Sequence, residues 1–192
     1  GRSHQVQQEE TNRLLLEYAN AGYRVARLKN GDPFVFGRGS EEVEYLAENG
    51  IKVSVIPGIS SAIGGPLSAG IPVTARGISS GFSVVSGCLK GGETNNNWYE
   101  LLKIKNHTVV VLMGLTCVEE IMENALKIGT DPEMPAAIIS KASLPDQKVI
   151  ITTLKNLTAD SQNAERPALL VFGEVVKKQY TDLSSEILVQ NH

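Results

Sequence analysis

The 192-residue chain has only two cysteines, one tryptophan and no apolar run approaching the roughly 18 to 20 residues of a membrane span. With no such run, and no charged-then-apolar layout at the N-terminus, neither a spanning helix nor a secretory signal is read in it, and a membrane partner is not expected. Cys88 and Cys117 have no metal-type spacing and are read as reduced thiols, consistent with a cytoplasmic protein. His4 and His107 have no second ligand at helical or hairpin spacing, so no metal is expected. Neither sign of charge is in large excess: a net charge of −3 gives no bulk attraction to nucleic acid, which is excluded as a partner. The spacings of a P-loop and of a Gly-x-Gly-x-x-Gly dinucleotide loop are both missing.

What is present is enough apolar residue for a core, 42%, in a pattern where helix and strand signals alternate. That alternation reads as an α/β protein with open, mainly parallel sheets. Helices are expected at 8–20, 40–48, 60–68, 98–102 and 117–128. Strands are expected at 23–28, 52–56, 82–86, 108–112, 136–139, 147–153 and 168–171. The Gly-, Pro- and Ser-rich stretch 70–81 reads as a hinge, dividing the chain into domains 1–75 and 76–192. The first has only two expected strands, which leaves edges and apolar faces uncovered.

Residues 27–39 read Arg-Leu-Lys-Asn-Gly-Asp-Pro-Phe-Val-Phe-Gly-Arg-Gly, at the carboxyl end of an expected strand and just before a helix. In an open α/β sheet that is where ligands bind. Gly31, Gly37 and Gly39 let backbone approach closely, Pro33 fixes one φ angle, and Asn30 tolerates a left-handed conformation. Ser40 is the expected N-cap, and Glu41 and Glu42 in the first turn suit the helix dipole while disfavouring a phosphate.

The string from Lys29 to Gly39 resembles the Gly-Gly-Asp-Pro-Phe-Val-Phe-Gly-Arg-Gly signature of the uroporphyrinogen-III C-methyltransferases, within the tetrapyrrole methylase family. The resemblance continues in order along nearly the whole chain. It takes in His4 with Val6-Gln7-Gln8-Glu9-Glu10, then Val55 to Ala62 and Ala69 to Thr74. Further on it takes in Leu112-Met113-Gly114-Leu115, Pro145 to Lys148 and Pro167 to Gly173.

The resemblance implies a two-domain fold with the cofactor cleft between the domains. It also implies S-adenosyl-L-methionine as cofactor, with S-adenosyl-L-homocysteine as product. The implied reaction is C-methylation of uroporphyrinogen III to precorrin-2, in siroheme and cobalamin synthesis, by a homodimer. In-line methyl transfer depends on positioning, and the macrocycle must also lose a proton to a base. Family members usually begin with about fifty further residues carrying the proposed acid and base. No catalytic residue is therefore assigned here, and the chain alone is expected to bind cofactor weakly or not at all and not to turn over.

Carried over position by position, the cofactor contacts fall on Asn30, Gly31, Asp32, Val35, Ser60, Ser61, Met113 and Ala142. Each also has a local reading. Ser60 and Ser61 are ordinary helix caps, Met113 is core filler at a strand end, and Asp32 before Pro33 makes an Asx turn. For a tetrapyrrole substrate, whose carboxylates need cations, Arg38 and Arg76 in glycine-rich loops are the candidates. Five positions depart from the family pattern: Asn30 replaces a glycine, Ala75 a histidine, Lys148 an arginine, and Ser86-Gly87-Cys88 a Thr-Gly-His, which differs at its first and third residues. Methylation of another corrin precursor, and a non-catalytic cofactor-binding or dimerisation fragment, stand as alternatives. A thiol nucleophile at Cys88 has no activator beyond Lys90.

Overall fold

The structure, a computed structural model, describes residues 2–89 and 91–181; Lys90 and the side chains of residues 2–7, His4 among them, lie outside the described residues. Apart from a short segment at 91–92 that groups with the first, the chain forms two compact units that divide between Ser60 and Ser61.

In the first unit, helix α1 (Arg2–Asn20) packs with α2 (Gly39–Glu48). Gly22 takes φ 87° and donates to the Ala19 carbonyl, ending α1 in the left-handed cap that glycine alone adopts without penalty. On α2, Glu42 and Leu46, one turn apart, form a buried stripe. Helix α2 begins one residue before the expected cap: Arg38, at φ 59°, occupies the cap position, and Ser40 lies in the first turn. The reason is that the Gly39 N–H is already held by the Pro33 carbonyl at 2.9 Å.

The strands expected at 23–28 and 52–56 do not form; neither segment has a ladder partner among the described residues. Leu28 is 84% and Ile56 80% exposed. Alternating apolar side chains mark a segment as fit for a sheet, but only a neighbouring backbone makes it a strand.

The second unit is an open five-stranded sheet of β1 (Gly81–Ser86), β2 (His107–Leu112), β3 (Pro135–Ser140), β4 (Lys148–Thr153) and β5 (Ala168–Phe172), in the order β1-β2-β5-β3-β4. The expectation of mainly parallel strands is corrected here. β1 and β2 pair in parallel, while β2 with β5, β5 with β3 and β3 with β4 are antiparallel. Helix–strand alternation reports that connections exist but not their direction. The loop 141–147 is too short for the dozen or so residues of a parallel crossover, so β3 and β4 must form a hairpin.

Alternation along the strands builds two cores. Val109, Val111, Ala136, Ile138, Leu170 and Phe172 face α4 (Val118–Lys127), α5 (Leu157–Ser161) and Trp98. Val110, Leu112, Ala137, Ile139, Leu169 and Val171 face Ala62 and Ala69, at either end of α3 (Ser61–Ser68), together with Ile71, Val175 and Val176. The stretch read as a hinge is thus built into this unit: Ala69 and Ile71 are buried, and Ala75 and Ser79 exchange backbone hydrogen bonds across a tight turn. α5, which is short and polar, has no sequence signal that predicts it.

Candidate functional site

The loop from Asn30 to Gly39 is folded back on itself. A Cβ at Gly37 or Gly39 would stand 2.7 or 2.5 Å from the Pro33 carbonyl oxygen, so both positions exclude a side chain. Asp32 accepts from the Phe34 N–H at 2.9 Å through Oδ1 and from the Gly58 N–H at 3.2 Å through Oδ2. Its carboxylate therefore makes the Asx turn and also ties in the loop after the second extended segment. A Cβ at Gly58 would lie 2.4 Å from the Gly31 carbonyl oxygen, so the two loops meet backbone to backbone. Beside them a hollow of about 220 Å³ is lined by Arg27, Leu28, Lys29, Asn30 and Gly37.

The N–H groups of Phe34, Gly58 and Val35 hold the Asp32 carboxyl below its ordinary 3.8. Its contribution is therefore present above the ordinary value and is lost as pH falls through the depressed one. Exchange protection of the Phe34 and Gly58 amides, corrected for intrinsic rate, is expected to hold from pH 7 to about 4 and to fall below that. In Asp32→Asn, with one acceptor oxygen instead of two, one of these amides loses protection at every pH. Wild-type protection in both amides would refute the tie.

Behind the loop, Glu42 is 4% exposed and meets three partners. Lys29 Nζ lies 2.8 Å from Oε2, while Arg27 Nε at 3.3 Å and Gln8 Nε2 at 3.0 Å reach Oε1. Burial pushes its pKa up, but the hydrogen bonds of Lys29 and Gln8 and the charges of Lys29 and Arg27 outweigh it, leaving the carboxyl below its ordinary value. This cluster fixes the residues leading into Asn30. From sequence Glu42 reads as a helix-dipole partner in the first turn; its i,i+4 spacing from Leu46 is the available signal of burial.

In the second unit the candidates gather at one end of the sheet. Because β1 and β2 run in parallel, their carboxyl ends adjoin, with Ser86 opposite Leu112. The following loops touch at Gly87 and Gly114, where a Cβ on Gly87 would come within 2.5 Å of the Gly114 Cα. Met113 lies in this turn at φ 57° and is 51% exposed, which sets aside the reading of core filler. β3 ends on the same side, two strand positions away across β5, about 10 Å at ordinary strand spacing. Ala142 follows it, packed near Gly65 of α3 and flanked by Lys141 at φ 51° and Ser143 at φ 66°. Gln147 pins this loop: its Oε1 accepts from the Ser143 N–H at 2.6 Å and from Ser68 Oγ at 2.7 Å, while its Nε2 donates to the Ser68 carbonyl at 2.9 Å. Glu165, drawn down to about 2 by the ammoniums of Lys141 and Lys148, ties the loop to the start of β5.

Backbone strain concentrates at these places. Six described non-glycine residues have positive φ: Phe36, Arg38, Asn106, Met113, Lys141 and Ser143. All but Asn106 lie in the three loops that carry Asn30 to Val35, Met113 and Ala142. Such conformations cost about 1–3 kcal/mol each and persist where the surroundings impose them, often at ligand sites. Asn30 is not among them; Gly31, at φ 83°, makes the turn instead.

The remaining candidates are less defined. Val35 is 37% exposed, Ser60 is buried, and Ser61 opens α3 on the surface. Arg38 is engaged by Glu41 through two contacts, 3.0 and 2.6 Å, so it must exchange that partner to meet a substrate carboxylate. Arg76 is exposed on the Ala75–Ser79 turn.

The cysteines are corrected from thiols to a disulfide: Cys88 and Cys117 are bonded, with Cα atoms 6.8 Å apart. The parallel pairing of β1 and β2 starts both following loops side by side, which a sequence separation of 29 does not reveal. A bonded Cys88 is no nucleophile.

The siroheme synthase of Vesicomyosocius okutanii is 45% identical over 177 residues, which cover 91% of this chain and 38% of that protein. The siroheme synthase of Acinetobacter baylyi is 43% identical over 176 residues, again 91% and 38%. The chain thus spans well under half the length of the curated relatives it matches. A crystal structure of uroporphyrin-III C-methyl transferase from Thermus thermophilus, complexed with S-adenosylhomocysteine, superposes with a TM-score of 0.78 at 40% identity, covering 88% of this chain and 74% of that one. The family model for the tetrapyrrole (corrin/porphyrin) methylases matches residues 1–158, and the chain belongs to that family.

Proposed function

We propose that the chain is the methylase part of an S-adenosylmethionine-dependent uroporphyrinogen-III C-methyltransferase acting in siroheme synthesis. The observation that carries the reading is the loop Asn30 to Gly39, folded back on itself beside a hollow and tied to Gly58 through Asp32. The Thermus relative, which shares this fold, was crystallised with S-adenosylhomocysteine.

The residues fit such a cofactor. The strained turn at Met113 presents a half-exposed, polarizable side chain suited to an adenosine face, and Ala142 is small enough to let backbone reach an adenine edge. Asn30, Gly31, Asp32 and Val35 supply backbone and side-chain partners in the first unit, and Ser60 and Ser61, at the residues where the units divide, are the proposed partners of a carboxylate. When bound, the cofactor supplies the methyl group on a sulfonium; these residues hold and orient it. Arg38 and Arg76 are the proposed partners of substrate carboxylates. Homodimerisation and a cytoplasmic location belong to the same proposal. Among the described residues no helix is long and apolar enough to cross a membrane.

Calorimetric titration of the purified chain with S-adenosylhomocysteine tests the reading. Saturable binding is expected, weakened at least about tenfold by Asp32→Ala and by Met113→Trp, about 1.4 kcal/mol each. A folded chain that ignores the ligand, or variants that bind as wild type does, would remove the assigned site.

A further inference from the structure

We propose that the Cys88–Cys117 disulfide is a redox latch that clamps the ribbon after β1 to helix α4 and so sets the turn at Met113. The ribbon leaves β1 at Ser86 and returns at Trp98, which is buried in the core. Its base is closed by Asn95, whose N–H donates to the Gly87 carbonyl at 2.8 Å and whose Nδ2 donates to the Ser86 carbonyl at 3.0 Å. Higher up, the Leu89 N–H reaches the Glu93 carbonyl at 2.7 Å.

Three contacts hold this ribbon along α4. Cys88 is bonded to Cys117, Thr94 Oγ1 donates to Glu120, and Asn124 Nδ2 donates to Asn96 Oδ1 at 3.2 Å. Cys117 is the N-cap of α4, and Glu120 and Asn124 lie one turn apart on that helix. Two of the three contacts are exposed side-chain hydrogen bonds, for which water competes. The disulfide is the one clamp that water cannot replace. At the ribbon's base Gly87 rests on Gly114, the residue after Met113, so movement of the ribbon removes the backing of that turn.

The chemistry is thiol–disulfide exchange with a small disulfide of the glutathione class. Cys88, the more exposed sulfur, attacks as thiolate and displaces one glutathione thiolate, giving a mixed disulfide; Cys117 is 6% exposed. The Cys117 thiolate then attacks the Cys88 sulfur, forming the internal bond and releasing the second glutathione. The protein loses two electrons and two protons, and both glutathione thiols gain them. In a reducing compartment such a bond is a switchable state, not a permanent staple.

Only the link to ligand binding rests on the function proposed above, so the test reads the ribbon directly. Hydrogen exchange is measured on the chain oxidised with glutathione disulfide and on the chain reduced with dithiothreitol. Peptides covering Ser86–Leu89, Glu93–Asn97 and Leu112–Leu115 are expected to exchange at least about tenfold faster when reduced. Cys88→Ser and Cys117→Ser should match the reduced pattern in both buffers. Two thiols still free after oxidation, or exchange unaffected by reduction, would overturn the latch. S-adenosylhomocysteine titrated in both states separates the two ideas: a ribbon that responds in a chain that never binds the ligand keeps the latch and sinks the cofactor site.

Discussion

Lys29→Met is expected to destabilise the first unit by about 3 kcal/mol, the low end of the cost of breaking a buried ion pair. Glu42 and Lys29 have side chains 6% and 12% exposed, so the variant leaves a carboxylate in a site that water reaches poorly. The low end applies because Gln8 and the 43%-exposed Arg27 remain to meet it. The double variant Lys29→Met, Glu42→Leu should recover most of the loss, since replacing both charges removes the unpaired group as well.

The pH dependence has opposite signs in the two proteins. In the wild type the Glu42 pKa is lowered from 4.5, so its contribution is present above that value and lost as pH falls through the depressed one. In Lys29→Met the desolvation that opposes ionisation loses its main counterweight, and acidification relieves the strain. The gap between the two proteins should therefore narrow from pH 7 towards pH 4. The chain's one tryptophan, Trp98, reports on the second unit, so the measurement is amide exchange along α2. A variant with wild-type protection on α2 at pH 7 would mean that the cluster is solvated and does not support the loop.

Gly87→Val is expected to destabilise the second unit by about 3 kcal/mol, the upper end of overpacking costs. The ideal Cβ would lie 2.5 Å from the Gly114 Cα and 3.0 Å from its nitrogen, and backbone cannot step aside as a side-chain tip can. Gly114→Ala offers the contrast. Its Cβ would meet side-chain methyls of Val111, Leu170 and Ile121 at 2.9, 3.2 and 3.3 Å, so the cost should be about 1 kcal/mol. Urea denaturation followed by Trp98 fluorescence reads both variants. If Gly87→Val shifts the midpoint no more than Gly114→Ala, the two turns are not in backbone contact. Where Gly87→Val still folds, S-adenosylhomocysteine affinity should fall with it, because the Met113 turn moves.

The amino-acid sequence by itself determined the family, the open α/β character, most element positions in the second unit and the loops that carry the candidate residues. These are local properties: apolar alternation, glycine and proline punctuation, and an ordered string from Lys29 to Gly39. Only the tertiary structure decided strand direction, because the same apolar run suits either pairing and the short loop 141–147 acts through chain length and not through composition. Only the fold showed that 23–28 and 52–56 have no ladder partner among the described residues, since a strand's partner is never in its own residues. The Asp32 tie to Gly58, the burial of Glu42 and the Cys88–Cys117 bond each join positions well separated along the chain. Their partners are chosen by packing: parallel strands set the two cysteine loops side by side, and glycines let the backbone at Gly31 and Gly58 meet.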